Sequence, residues 1–102
     1  MPSSKQTGEE RLLRLGVVGG GVMGRNHARV LSELANVELG GVADPDAGRA
    51  SQAAGQAEGA EAFSDHRELV ARKVDAVVIA APTHLHHEIA LDLIESGVHL
   101  LV

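Results

Sequence analysis

Cysteine, tryptophan and tyrosine are absent from this chain of 102 residues, and phenylalanine occurs once, at Phe63. Without cysteine there is neither a disulfide framework nor a thiolate metal site, a usage that suits a reducing cytoplasm. Without large aromatics the core must be assembled from Ala, Val, Leu and Ile, each burying little area, so modest stability is expected. Basic residues form no cluster: nine Lys and Arg stand against fourteen Asp and Glu, for a net charge of −5. A nucleic-acid partner, which calls for a basic stripe, is therefore not expected. No apolar run approaches the roughly 18 residues needed to span a bilayer. The polar start MPSSKQTGEER also lacks the apolar stretch of a signal peptide. The expectation is a soluble, cytoplasmic chain with no membrane partner, its length fitting one domain near the low end for a full core.

What is present is an alternation. Residues 1–11 read as a disordered tail. After them, short apolar runs at residues 12–19, 37–44 and 75–82, with weaker ones at 60–63 and 98–102, read as five strands. Amphipathic stretches separate them. In the first, Ala28, Leu31 and Ala35 share a face with Val30 and Leu34 beside it. The second offers only alanines and is weakened by Gly48. The third opens with Asp65 and Glu68 at capping-box spacing. In the fourth, Leu85, Ile89 and Leu93 align, as do Ala90 and Ile94, and Gly97 follows as a stop. The order β-α-β-α-β-α-β-α-β, with near-continuous apolar runs in strands one, two and four, points to an α/β fold with a doubly wound parallel sheet. Right-handed crossovers predict the strand order 3-2-1-4-5 and a switch point between strands one and four, beyond whose carboxyl ends ligands bind.

The turn after the first strand carries Gly19-Gly20-Gly21-Val22-Met23-Gly24, a G-x-G-x-x-G. Alone the pattern is weak in a chain with 12 glycines. Here it leaves an apolar strand and opens a helix, and Asp44 lies 20 residues beyond Gly24 at the end of strand two. That is the spacing of a dinucleotide fingerprint. Gly19 would allow the tight turn, Gly21 the approach of a pyrophosphate to the backbone, and Gly24 close packing of helix on sheet. Free N–H groups near Val22 and Met23 would face the pyrophosphate at the positive end of the helix. Asp44 would accept hydrogen bonds from the adenosine ribose and repel the extra phosphate of NADP, so NAD is the expected cofactor, with NADP kept open. Arg49 is the one residue that argues for NADP, although a solvated helix position accounts for it more simply.

Other glycine loops can be compared. A P-loop requires G-K-[ST], and Gly24 is followed by Arg25 and Asn26. A methyltransferase-type loop, which also joins a first strand to a helix, fits the spacing poorly but stays open. His84, His86 and His87 crowd four positions, yet at i, i+2 and i+3 on a nascent helix they do not converge, so no metal site is expected. His87 reads as solvent-facing. His86 follows the Pro82-Thr83 corner at the end of strand four, which borders the switch-point crevice. His27 reads as packing within the first helix.

Taken together, RLGVVGGGVMGRNHARVL, GVADPD and VDAVVIAAPTHLHHEIALDLIESGVHLLV resemble the N-terminal domain of the glucose–fructose oxidoreductase/inositol dehydrogenase (Gfo/Idh/MocA) family over residues 13–102. The element Pro82-Thr83-His84-Leu85-His86, with its spacing to Gly97-Val98-His99, is more specific than the glycines. The resemblance implies a Rossmann-like domain of a nicotinamide-dependent oxidoreductase that moves hydride to or from a hydroxyl of a sugar, inositol or nucleotide sugar. It also implies that Gly19, Gly21, Val22, Met23 and Gly24 carry the pyrophosphate, Asp44 the ribose, and that Ala81, Pro82, Thr83 and His86 line the cleft towards the nicotinamide.

In this family a Glu-Lys-Pro motif with a proposed catalytic lysine follows the last strand, and a second domain supplies the sugar site. The chain stops at Val102, where that motif would begin. Residues 12–102 are thus expected to be a partial NAD(P)-binding domain with no catalytic residue of its own and no turnover alone. A stand-alone nucleotide-binding or interaction module is the alternative. A fifth strand at the sheet edge would also offer free N–H and C=O groups, so self-association through residues 98–102 or a domain swap is expected.

Overall fold

The computed structural model describes residues 12–101; the tail expected over residues 1–11, and Val102, lie outside the described residues. The five apolar runs become strands β1 (Leu13–Val18), β2 (Val37–Ala43), β3 (Glu61–Phe63), β4 (Ala76–Ile79) and β5 (His99–Leu101). Between them lie helices α1 (Val22–Ser32), α2 (Ala47–Ala54), α3 (His66–Ala71) and α4 (Thr83–Glu95). All pairings are parallel, and the sheet runs β3-β2-β1-β4-β5, the order predicted from the pattern of elements.

Strand residues alternate between two faces, and here both faces are covered. Leu15, Val17, Leu39, Val42 and Val78 pack with Ala28 and Leu31 of α1 and Ala53 and Ala54 of α2. Val18, Ala43, Val77 and Ile79 pack on the other side with Leu69 of α3 and Ile89 and Leu93 of α4. The largest fully buried side chains are Leu69, Leu93, Val17, Val42 and Val77, so the core is aliphatic throughout, as the composition requires. Among the described residues, no helix is long and apolar enough to cross a membrane.

Helix ends follow local chemistry. The N-cap Asp46 accepts the Arg49 N–H at 3.0 Å, and α2 forms despite Gly48, burying Ala50, Ala53 and Ala54. Asp65 and Glu68 make the expected capping box at α3, the Glu68 carboxylate accepting the Asp65 N–H at 3.2 Å. At the end of α4, the Gly97 N–H reaches the Ile94 carbonyl and the Val98 N–H reaches Leu93, both at 3.0 Å, a Schellman closure. One expectation is corrected. α1 ends at Ser32 because the N–H groups of Glu33 and Leu34 turn back to the carbonyls three residues earlier, at 3.1 and 3.2 Å. Ala35 and Leu34 therefore leave the helix and are exposed, as is Val30; the buried stripe is Gly24, Ala28 and Leu31.

A polar tie joins α3 to α4. The His66 Nε2 lies 2.8 Å from the Asp92 Oδ2, and the Arg67 guanidinium lies 3.5 Å from the same oxygen. Hydrogen bonding by His66, reinforced by Arg67 and opposed by partial burial, holds the Asp92 carboxyl below its ordinary value of 3.8. A group that binds its proton more weakly when folded stabilises the fold above the ordinary value, and that contribution is lost as pH falls below it. Urea denaturation of the wild type and Asp92→Asn is therefore expected to show a stability gap at neutral pH that narrows below about pH 4. A gap independent of pH would contradict this assignment.

Candidate functional site

Because all strands are parallel, β1, β2, β3 and β4 send their following loops to the same edge of the sheet. Those loops and the start of α4 enclose a cleft of about 760 Å³. It straddles the β1/β4 switch point, where open α/β sheets bind their ligands.

The wall after β1 depends on three glycines that act differently. Gly19 has φ +107°, and its N–H reaches the Ala43 carbonyl at 2.8 Å. A Cβ there would lie 2.8 Å from the Ala80 backbone. At Gly24 a Cβ would fall 1.6 Å from the Gly19 carbonyl oxygen, so the helix closes tightly on the turn itself, with Val17 of β1 next at 3.7 Å. Gly21, by contrast, has nothing within 4 Å of an added Cβ and lines the cleft.

α1 has no side-chain cap and no acid in its first turn. Its first intrahelical bond runs from the Arg25 N–H to the Gly21 carbonyl at 2.8 Å. The N–H groups of Val22, Met23 and Gly24 precede that bond at the positive end of the helix. Val22 and Met23 are 66% and 61% exposed, which makes the rim of the cleft apolar.

Asp44 forms the second wall and is buried. Its Oδ2 accepts the Gly20 N–H and its Oδ1 the Asp46 N–H, both at 2.7 Å. Its own N–H bonds the Phe63 carbonyl at 2.9 Å. One carboxylate thus ties the loop after β1 to the loop after β2, and each oxygen keeps further acceptor capacity. The bond to Asp46 was readable in Asp44-Pro45-Asp46, where an Asp caps the backbone two residues on. The bond to Gly20 had no signal in the sequence, because it depends on strand pairing.

Of the other expected site residues, Ala81 and Pro82 line the cleft, and Thr83 is the first residue of α4. Gly24 lies beneath the loop. His86 is not among the residues lining the cleft: its Nε2 lies 2.6 Å from the Ala81 carbonyl, so the ring props the Ala81–Pro82 corner from behind. His84 and His87 are exposed, and His27 is half-buried on α1 away from the cleft. Arg49 lines the cleft at its exposed margin. Sequence reasoning missed the wall after β3, where Ser64, Asp65 and His66 reach the cleft, and missed Glu88 and Ile89 of α4. The capping pattern at Asp65 marked the start of α3, and a parallel strand before it puts that start at the same sheet edge.

Comparison with known proteins agrees with the resemblance. Residues 13–102 match the model of the Gfo/Idh/MocA oxidoreductase family, described as an NAD-binding Rossmann fold. An inositol 2-dehydrogenase of Corynebacterium glutamicum is 38% identical over 91 residues, which are 87% of this chain and 27% of that protein. A UDP-N-acetylglucosamine 3-dehydrogenase of Acidithiobacillus ferrooxidans is 38% identical over 90 residues, 88% of this chain and 28% of that one. Among solved structures, GenD2 from gentamicin A biosynthesis, in complex with NAD, superposes with a TM-score of 0.84 at 36% identity, over 90% of this chain and 26% of that one. The chain therefore spans about a quarter of the length of these relatives.

The glycine geometry separates two substitutions. Gly24→Ala must displace the Gly19 carbonyl and is expected to cost roughly 1–3 kcal/mol or more. Gly21→Ala enters open space and should cost no more than about 1 kcal/mol, through the poorer cap alone. Denaturant unfolding of the two variants checks this; equal losses would mean that the turn does not hold Gly24 as described.

Proposed function

The chain belongs to the Gfo/Idh/MocA family of oxidoreductases, and from that premise we propose that its cleft holds the nicotinamide dinucleotide of a dehydrogenase acting on a sugar, inositol or nucleotide-sugar hydroxyl. The bound nicotinamide supplies hydride transfer; the chain supplies binding and orientation. The observation that carries the reading is the pairing of an open Gly21 with a clasped Asp44 on facing walls of one cleft.

A pyrophosphate set against Gly21 meets the N–H groups of Val22 and Met23 and the positive end of α1. Gly19 and Gly24 shape that turn without touching the ligand. The remaining lone pairs of Asp44 accept the hydroxyls of the adenosine ribose, and its fixed negative charge disfavours a 2′-phosphate. NAD is thereby preferred over NADP, and Arg49, at the exposed margin of the same cleft, is the one residue that would favour NADP. Ala81, Pro82 and Thr83 bound the nicotinamide end. His86 acts there indirectly, by donating from Nε2–H to the Ala81 carbonyl and holding that corner in place. No side chain at the cleft is assigned proton transfer to or from substrate; we assign that step, and substrate recognition, outside these residues.

Amide NMR with NAD is expected to perturb Gly19 to Gly24 and Asp44 to Asp46. NADP should bind at least about tenfold more weakly, because it brings a phosphate against a carboxylate. Asp44→Asn, which removes the charge and keeps one acceptor, should narrow that difference. No perturbation in the glycine turn at millimolar NAD would refute the reading.

A further inference from the structure

His66 is the only aromatic ring among the described residues that line the cleft, in a chain with no Tyr or Trp and a single Phe. We infer that its imidazole is the stacking platform for the adenine base of the bound dinucleotide. The inference rests on the function proposed above and adds a base-recognition residue to it.

Ala43 and Phe63 are register partners on neighbouring strands, so Asp44 and the segment Ser64 to His66 leave the sheet side by side. The Asp44 N–H to Phe63 carbonyl bond fixes that adjacency. A ribose held by Asp44 carries its base on the adjoining carbon, into the part of the cleft bounded by the start of α3 and by α4. Pro45, Leu85 and Ile89, which are apolar, line the same cleft as His66, together with Ser64, Asp65 and Glu88.

Both ring nitrogens of His66 are directed at acids. Nε2 lies 2.8 Å from the Asp92 Oδ2, and Nδ1 lies 3.7 Å from the Asp65 Oδ1. The Arg67 guanidinium spans the same two carboxylates, at 3.3 Å to Asp65 and 3.5 Å to Asp92. The His66 side chain is 11% exposed. With Nε2 hydrogen-bonded to Asp92, the small part of the ring that stays uncovered lines the cleft, and that is the surface it offers a ligand. A ring already held by its neighbours also loses little freedom when a base settles on it. Asp92, Asp65 and Arg67 are thus positioning residues for the platform.

A flat heteroaromatic base gains from such a face, since base–aromatic contact is tolerant of the base's hydrogen-bonding pattern. Among the described residues, nothing else on that wall is aromatic.

The test uses the full 102-residue chain and ADP-ribose, which carries the adenosine half without nicotinamide. On binding, the His66 ring protons are expected to shift upfield in the NMR spectrum. His66→Ala should weaken ADP-ribose about five- to tenfold. His66→Phe, which keeps an aromatic face, should stay near wild type, while His66→Gln, which keeps a partner for Asp92 without a ring, should behave like Ala. Nicotinamide mononucleotide should bind all four proteins alike. Unchanged ADP-ribose affinity in His66→Ala, or affinity kept by Gln and lost by Phe, overturns the stacking role and leaves the dinucleotide reading standing. Failure of the wild type to bind ADP-ribose at all overturns both. Should a variant fold poorly, the wild-type ring protons still decide: bound ADP-ribose that leaves them unshifted overturns the stacking role.

Discussion

The Asp44 carboxylate is the interaction on which the rest of the cleft depends. Burying a carboxylate is costly unless strong hydrogen bonds replace its water. Here two backbone N–H groups do so at 2.7 Å, one from the turn after β1 and one from the start of α2. Such charge-assisted bonds are short and about twice as strong as neutral ones. The same contacts that make the buried charge tolerable also fix the distance between the two loops. The packing of the two loops and the shape of the cleft between them are therefore set by one side chain.

Around that clasp the architecture divides labour. Helices on both faces of a parallel sheet bury an aliphatic core and leave its carboxyl edge as the place where loops converge. Gly24 is small because the turn must fold back onto α1, whereas Gly21 leaves a bare backbone open to the cleft. The His66–Asp92 tie joins α3 to α4 beneath the same cleft, so the element that stiffens one wall also orients the one aromatic ring among its described lining residues.

Much of this was legible beforehand, and the reasons are physical. Strand order follows from the alternation of short apolar runs with helices and from crossover handedness. Gly19, Gly21 and Asp44, which the fold brings to one cleft, could be singled out because each has a spacing. The capping box at Asp65 and the closure at Gly97 are local chemistry, and both formed where the pattern put them. What could not be read is what depends on pairing between distant segments. The Gly20–Asp44 bond joins residues 24 apart in the chain, and His66–Asp92 joins residues 26 apart. The sequence placed His86 at the crevice, yet its ring turned out to support the Ala81 carbonyl instead. α1 was expected to run on to Ala35, because periodicity does not register the tightening of a last turn.

The most direct measurement of the central claim is amide hydrogen exchange at Gly20 and Asp46 in the free chain, with their proton chemical shifts. If the clasp holds the two loops, both amides exchange slowly and resonate downfield, and both lose these signatures together in Asp44→Ala. If Gly20 and Asp46 exchange like open loop amides in the wild type, or respond to the substitution independently, one carboxylate does not organise the site.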